Sequence, residues 1–131
     1  MDDNWNNHEQ YMKLLKNLET LGTHLQESHF AEFENKVISF NYLSYDFTSK
    51  FHAVIFEGEL VLKVRFETRV FEDSTFHFDL LIHYFGKIIS VDNLVPEHNV
   101  NQFTTYTVSN YFNNLLYEFV DKSDFFHEDS I

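Results

Sequence analysis

The residues with the clearest potential for chemistry are histidines, and three positions on one predicted strand could act together. His77, Asp79 and His83 share a parity, so their side chains project from one face of an extended segment. A pair two residues apart, such as His77 and Asp79, could chelate a metal ion. His83 lies about 20 Å from His77 along an extended strand, so all three cannot hold one ion. We therefore expect a solvated polar face, with no metal and no cofactor; metal chelation by the pair is the alternative. The other histidines are scattered and could form an acid-sensitive interface.

Motifs for catalysis are absent from the sequence. The glycines stand singly at Gly22, Gly58 and Gly86, and they cannot form a phosphate-binding loop. There is no nucleophile elbow, Walker motif or zincin helix. Ser, His and Asp all occur, but no spacing brings them together. We expect a protein that binds other macromolecules and is not an enzyme.

One predicted strand carries positive charge on its polar face, at Lys63, Arg65 and Arg69. The first interpretation is that these side chains pair across the sheet with Glu67, Asp79 and their neighbours. The alternative is a basic patch that docks an acidic surface of a partner or a sister subunit.

Hydrophobic periodicity indicates the elements that must position these side chains. Apolar residues at three- and four-residue steps predict a helix at about residues 5–26 and another at about 104–121. Alternation predicts strands at residues 37–45, 51–57, 59–71 and 75–85, the last two forming an antiparallel hairpin.

These elements predict an α+β fold: an antiparallel four-stranded sheet with an N-terminal helix and a long C-terminal helix packed on one face. Residues 1–121 form the single domain, and residues 122–131 are expected to be an acidic, mobile tail.

Charge and composition restrict the partners. Acidic residues outnumber basic ones by 21 to 9, a formal charge of -12, which argues against nucleic acid and against an anionic membrane surface. Cysteine is absent, and no signal peptide or apolar membrane span is recognisable. We expect a cytoplasmic protein without membrane insertion.

The central strands resemble those of the SecB-like export chaperones. The resemblance rests on the alternating run at residues 59–71, the run at 76–86 that ends in Tyr-Phe-Gly, and the apolar continuation at 87–91. Residues 101–116 resemble the start of that family's long helix, so that the similarity covers roughly residues 36–122. It implies a cytosolic chaperone that assembles as dimers and tetramers, holds unfolded clients in apolar grooves, and transfers them to a translocase motor or protects an antitoxin.

Aromatic residues make up 18% of the chain, more than one small core needs, so some rings are expected at an interface. The function that we expect is an ATP-independent, SecB-like chaperone that binds unfolded or precursor polypeptides, or one protein partner, as a homo-oligomer (dimer or tetramer). The candidate client-binding residues are Phe40, Tyr42, Phe51, Phe125 and Phe126. The alternative is a small acidic inhibitor that mimics nucleic acid and blocks a DNA-binding enzyme.

Overall fold

The computed structural model describes residues 3–71 and 74–122, with the side chains of residues 8–70 and 74–122. Helix α1 (Asp3–Glu27) precedes an antiparallel sheet, and helix α2 (Thr105–Lys122) follows it after a short 3-10 helix (Val100–Gln102). The strands are β1 (Glu32–Glu34), β2 (Val37–Tyr42), β3 (Tyr45–Phe56), β4 (Glu59–Phe71), β5 (Ser74–Ile82), β6 (Lys87–Ser90) and β7 (His98–Asn99).

The sheet has seven strands in chain order, each paired with the next, and it curls into a half-barrel. The prediction of a four-stranded sheet was therefore wrong. The segment 37–45, predicted as one strand, divides at Leu43 and Ser44, whose φ angles of 54° and 73° form a tight reversal. Such turns usually contain Asn or Gly, and neither is present here to signal it.

The predicted hairpin between β4 and β5 is confirmed, with Leu62 opposite Ile82 and Phe66 opposite Phe78. The remaining strands were missed because they are short. β1 has three residues, β6 has four and β7 has two, so alternation within them is too brief to recognise.

The core lies between one face of the sheet and the two helices. From β4 the side chains of Leu62, Val64 and Phe66 are fully buried, since alternate residues of a strand face the same side. The helices contribute further apolar members of the core. Those fully buried are Leu14, Leu18, Leu21 and Leu25 from α1 and Val108, Phe112, Leu115 and Leu116 from α2.

Stacked phenylalanine rings run across the middle of this core. The ring of Phe40 stacks on Phe47 at 5.1 Å between centroids, and Phe66 stacks on Phe78 at the same separation. Phe112 of α2 meets Phe66 edge-on at 5.7 Å. Phe40 is only 7% exposed. The choice of Phe40 as a client-binding residue assumed a partly exposed ring, and that expectation of exposure is wrong.

Candidate functional site

One end of the sheet carries adjacent apolar side chains in contact with solvent, which we call the tip surface. It consists of Ile55 and Phe56 on β3 and of Tyr84 and Phe85 in the turn between β5 and β6. Ile55 is 69% exposed and Phe85 is 79% exposed. These residues line an open depression of about 940 Å³. Single exposed apolar residues are ordinary, whereas a contiguous group beside a depression is typical of a binding surface.

The β3–β4 hairpin places Ile55 and Phe56 at this end. Phe56 lies opposite Glu59, and Glu57 and Gly58 form the two-residue turn between them. Both turn residues have positive φ angles, 52° and 82°, as a type I′ turn requires. Gly58 meets that requirement without strain.

The turn that carries Tyr84 and Phe85 is held from two sides. The buried side chain of Asn17 on α1 donates through Nδ2 to the carbonyl oxygens of His83 and Tyr84, both at 3.0 Å. Asn99 Nδ2 donates to the Phe85 carbonyl oxygen at 3.1 Å. The Phe85 ring is thus presented on a fixed backbone, which reduces the entropy that a partner's binding must offset.

Acidic side chains surround the tip surface. Glu9, Glu57 and Glu59 line the depression together with Lys87. Glu59 Oε1 lies 3.4 Å from His83 Nδ1. The surroundings therefore favour a partner that is apolar in its middle and basic at its edge.

A second depression, of about 690 Å³, lies between the end of α1 and strands β1 to β3. The rings of Phe30, Phe40 and Phe47 line it, with Phe30 and Phe40 separated by 5.2 Å between centroids. Glu32 and Asp46 also line it. We call it the aromatic depression.

The candidate client-binding residues do not form one site. Phe40 lines the aromatic depression but belongs to the core, while Tyr42 and Phe51 are half-buried and pack against that core. Phe125 and Phe126 lie outside the described residues.

Sequence reasoning missed Phe85, the most exposed of the large hydrophobic side chains that the structure describes, because the alternating pattern extended the predicted strand through it. Gly86, with a φ of 97°, was the available signal of a turn.

The charged strand face is internally paired. Arg65 Nε and Nη2 donate to the two carboxylate oxygens of Asp79, at 2.8 and 3.1 Å, and Lys63 Nζ lies 3.8 Å from Asp79. Lys50 Nζ lies 3.1 Å from Glu67. Cross-strand pairing is confirmed for Lys63 and Arg65, so these two cations do not form an unpaired basic patch; Arg69 is exposed.

Burial alone would raise the pKa of Asp79. The hydrogen bonds from Arg65 and the positive charges of Arg65 and Lys63 outweigh burial, and the pKa is lowered.

The histidines of the polar face are not gathered into a metal site. Asp79 is engaged by Arg65, and His77 lies opposite Glu67 at an exposed position. Within residues 3–71 and 74–122, no group of three His, Asp or Glu side chains is placed to hold a metal ion.

Comparisons with known proteins leave the chain without a family assignment. No protein-family model, curated protein or solved structure matches it. The resemblance to the SecB-like chaperones therefore stays a prediction. No helix in the described part of the chain is both long and apolar enough to span a membrane.

Proposed function

We propose that this protein binds unfolded or extended polypeptides at the tip surface, as an ATP-independent chaperone of the SecB-like type in the cytoplasm. The observation that carries the proposal is that two exposed apolar side chains line one depression: Ile55 at the end of strand β3, and Phe85 on a turn that Asn17 and Asn99 hold by hydrogen bonds. Buried aromatic and aliphatic anchors supply most of the binding energy at protein interfaces.

Chaperone-type binding would use apolar burial and no chemical step. Covering a ring such as Phe85 removes apolar surface from water at roughly 25 cal/mol per Å². The aromatic depression offers a second apolar contact beyond the tip surface. A formal charge of -12 would keep a complex with an aggregation-prone client soluble through repulsion between complexes.

Suppression of aggregation tests the proposal. A chemically denatured reporter is diluted into buffer without ATP, with and without a several-fold molar excess of the protein, and light scattering is followed. We expect the wild-type protein to suppress scattering and Phe85→Ser to lose most of this activity. The matched control is Tyr106→Ser, because Tyr106 is 72% exposed on α2 and does not line the depression.

Two outcomes would contradict the proposal. The first is that the wild-type protein suppresses no aggregation. The second is that Phe85→Ser and Tyr106→Ser are equally active while thermal melts show both to be folded.

Salt separates this function from that of an acidic inhibitor that mimics nucleic acid. Client binding should persist at 1 M NaCl, where the Debye length is about 3 Å, because burial of apolar surface is not screened. Mimicry depends on charge and should collapse there. Stoichiometric, salt-sensitive capture of one DNA-binding enzyme would support the inhibitor.

A further inference from the structure

Half of β3 is an open sheet edge. β2 pairs with β3 only from Tyr45 to Thr48, whereas β4 pairs with it as far as Phe56. Ile38 N donates to the side-chain oxygen Oγ of Ser49 at 2.9 Å. The backbone pairing between β2 and β3 therefore ends at this position. No described strand pairs with residues 50–56 on the side away from β4.

The register determines which backbone groups face outward at this edge. In a hairpin with a two-residue turn, the flanking residues Phe56 and Glu59 form a hydrogen-bonded pair, and pairs then alternate along the strands. The N–H and C=O groups of Phe51, Ala53 and Ile55 therefore point away from β4. These are the groups with which an added strand would bond.

The side chains along the edge form a notch. Ala53 is exposed and lies between two larger side chains, Phe51 and Ile55, that project from the same face. A large apolar side chain opposite Ala53 would fill the space between them.

The two ends of the β3 edge carry side chains of opposite charge. At the turn end, Glu57 and Glu59 are exposed, and Glu9 lines the same depression. At the other end lies Lys50, which is paired with Glu67 but keeps 70% of its side chain exposed. An antiparallel strand beside β3 would begin next to the acidic end and finish next to Lys50.

We propose that the β3 edge binds an extended segment of another polypeptide by antiparallel strand addition, with a basic residue at the segment's amino-terminal end and an apolar residue at alternate positions. This deepens and rests on the proposed function, because it defines the class of polypeptide that reaches the tip surface. Ile55 belongs to both features, so an added strand would pass directly over the tip surface.

A second copy of this chain fits the edge less well. Two-fold pairing centred on the open segment would place Ala53 opposite Ala53, leaving the notch empty on both sides. It would also bring together two molecules that each carry a formal charge of -12.

The test uses fluorescence anisotropy with a labelled peptide of sequence Lys-Thr-Ile-Thr-Phe-Thr-Val-Asp. Its apolar residues lie opposite Ile55, Ala53 and Phe51 when its lysine lies beside Glu57. One derivative is N-methylated at the three apolar residues, whose N–H groups would face β3. Its matched control is N-methylated at the three threonines, whose N–H groups would face solvent.

We expect the parent peptide and the threonine-methylated control to bind similarly, and the other derivative to bind at least about tenfold more weakly, a loss of about 1.4 kcal/mol. Ala53→Pro should weaken parent binding as much while keeping the fold, because proline is tolerated where the N–H points away from the ladder. If Ala53→Pro does not fold, the pair of methylated peptides still decides.

Three results would overturn strand addition: equal binding of the two methylated peptides, no binding of the parent peptide, or a dimer of the protein that Ala53→Pro converts to a monomer. If the parent peptide does not bind while the wild-type protein suppresses aggregation and Phe85→Ser does not, the proposed function stands without strand addition. If the wild-type protein also suppresses no aggregation, both proposals are wrong.

Discussion

The neighbours of Asp79 determine the pKa of its carboxylate and its contribution to stability. It is buried on the face of the sheet opposite the helices, and its two oxygens accept from Arg65. Its pKa is lowered in the folded state because these partners outweigh burial. A lowered pKa contributes stability that is complete above the unfolded value of about 3.9 and is lost as the pH falls through the folded pKa.

Asp79→Asn should lower the free energy of unfolding at pH 7 by about 1–3 kcal/mol, because Arg65 loses its charged acceptor. The deficit should shrink as the pH falls below about 4, because the unfolded wild-type chain binds a proton at Asp79 there, while the folded carboxylate, with its lowered pKa, stays ionised to lower pH. Urea denaturation across this range measures it. The exposed Asp92→Asn serves as the control, and a deficit that did not change with pH would contradict the explanation.

Tyr111 contrasts with Asp79, because its buried polar atom has no partner among the described residues to offset the cost of burial. Its hydroxyl is buried and has no hydrogen-bond partner in the part of the chain that the structure describes, and burial raises the pKa of Tyr111. Because the pKa is raised in the folded state, the free energy of unfolding is unaffected by this titration below the unfolded-state pKa of about 10. It declines as the pH rises above that value.

Tyr111→Phe should therefore raise the free energy of unfolding at pH 7 by about 1 kcal/mol, since an unpaired buried hydroxyl is removed. The advantage should increase above pH 10. Urea midpoints at neutral and alkaline pH measure both effects. Destabilisation at pH 7 would indicate that the hydroxyl has a partner, such as a bound water molecule.

Phe40 and Phe85 show what parity can and cannot predict for single residues. Parity placed Phe40 on a strand face but could not reveal that α2 and Phe30 cover it. It extended β5 through Phe85, although the chain turns at residues 83–86. Burial depends on which elements pack above a strand, and this information is not contained in the local pattern.

Among the elements, the helices and β4 were predictable because their periodicity is long. β4 runs from Glu59 to Phe71, the range that alternation indicated. The boundary between β2 and β3 could not be found, because Leu43 and Ser44 adopt positive φ angles that their residue types do not favour. The count of seven strands depends on that boundary and on the three shortest strands.

At Gly22 the close packing of α1 against β1 outweighs the low helix propensity of glycine. Gly22 lies inside α1, where glycine is an unfavourable residue, yet the helix continues to Glu27. A Cβ atom at this position would overlap the ring of Phe33 on β1. The glycine allows α1 and β1 to pack closely.

Gly22→Ala should lower the free energy of unfolding by about 1–2 kcal/mol, although alanine favours a helix by about 1 kcal/mol, because overpacking costs more. Combining it with Phe33→Ala should remove the clash, and a double-mutant cycle of thermal melts measures the coupling. Thr23→Ala, at an exposed helix position, is the control. A more stable Gly22→Ala protein would refute the packing argument.

For the whole molecule, the order of helix, strands and helix was predicted correctly, but the number of strands was not. The expected dimer or tetramer and the SecB-like function remain predictions. The net charge of -12 influences both, since it opposes self-association and favours a basic partner.

The most direct test of binding at the tip surface is amide chemical-shift mapping by NMR as a permanently unfolded polypeptide is added. We predict that the shifts concentrate at residues 51–60 and 83–87 and persist at 1 M NaCl, because apolar burial at Ile55 and Phe85 drives binding. The absence of any shift, or shifts confined to other surfaces such as the exposed side of α2, would contradict the account.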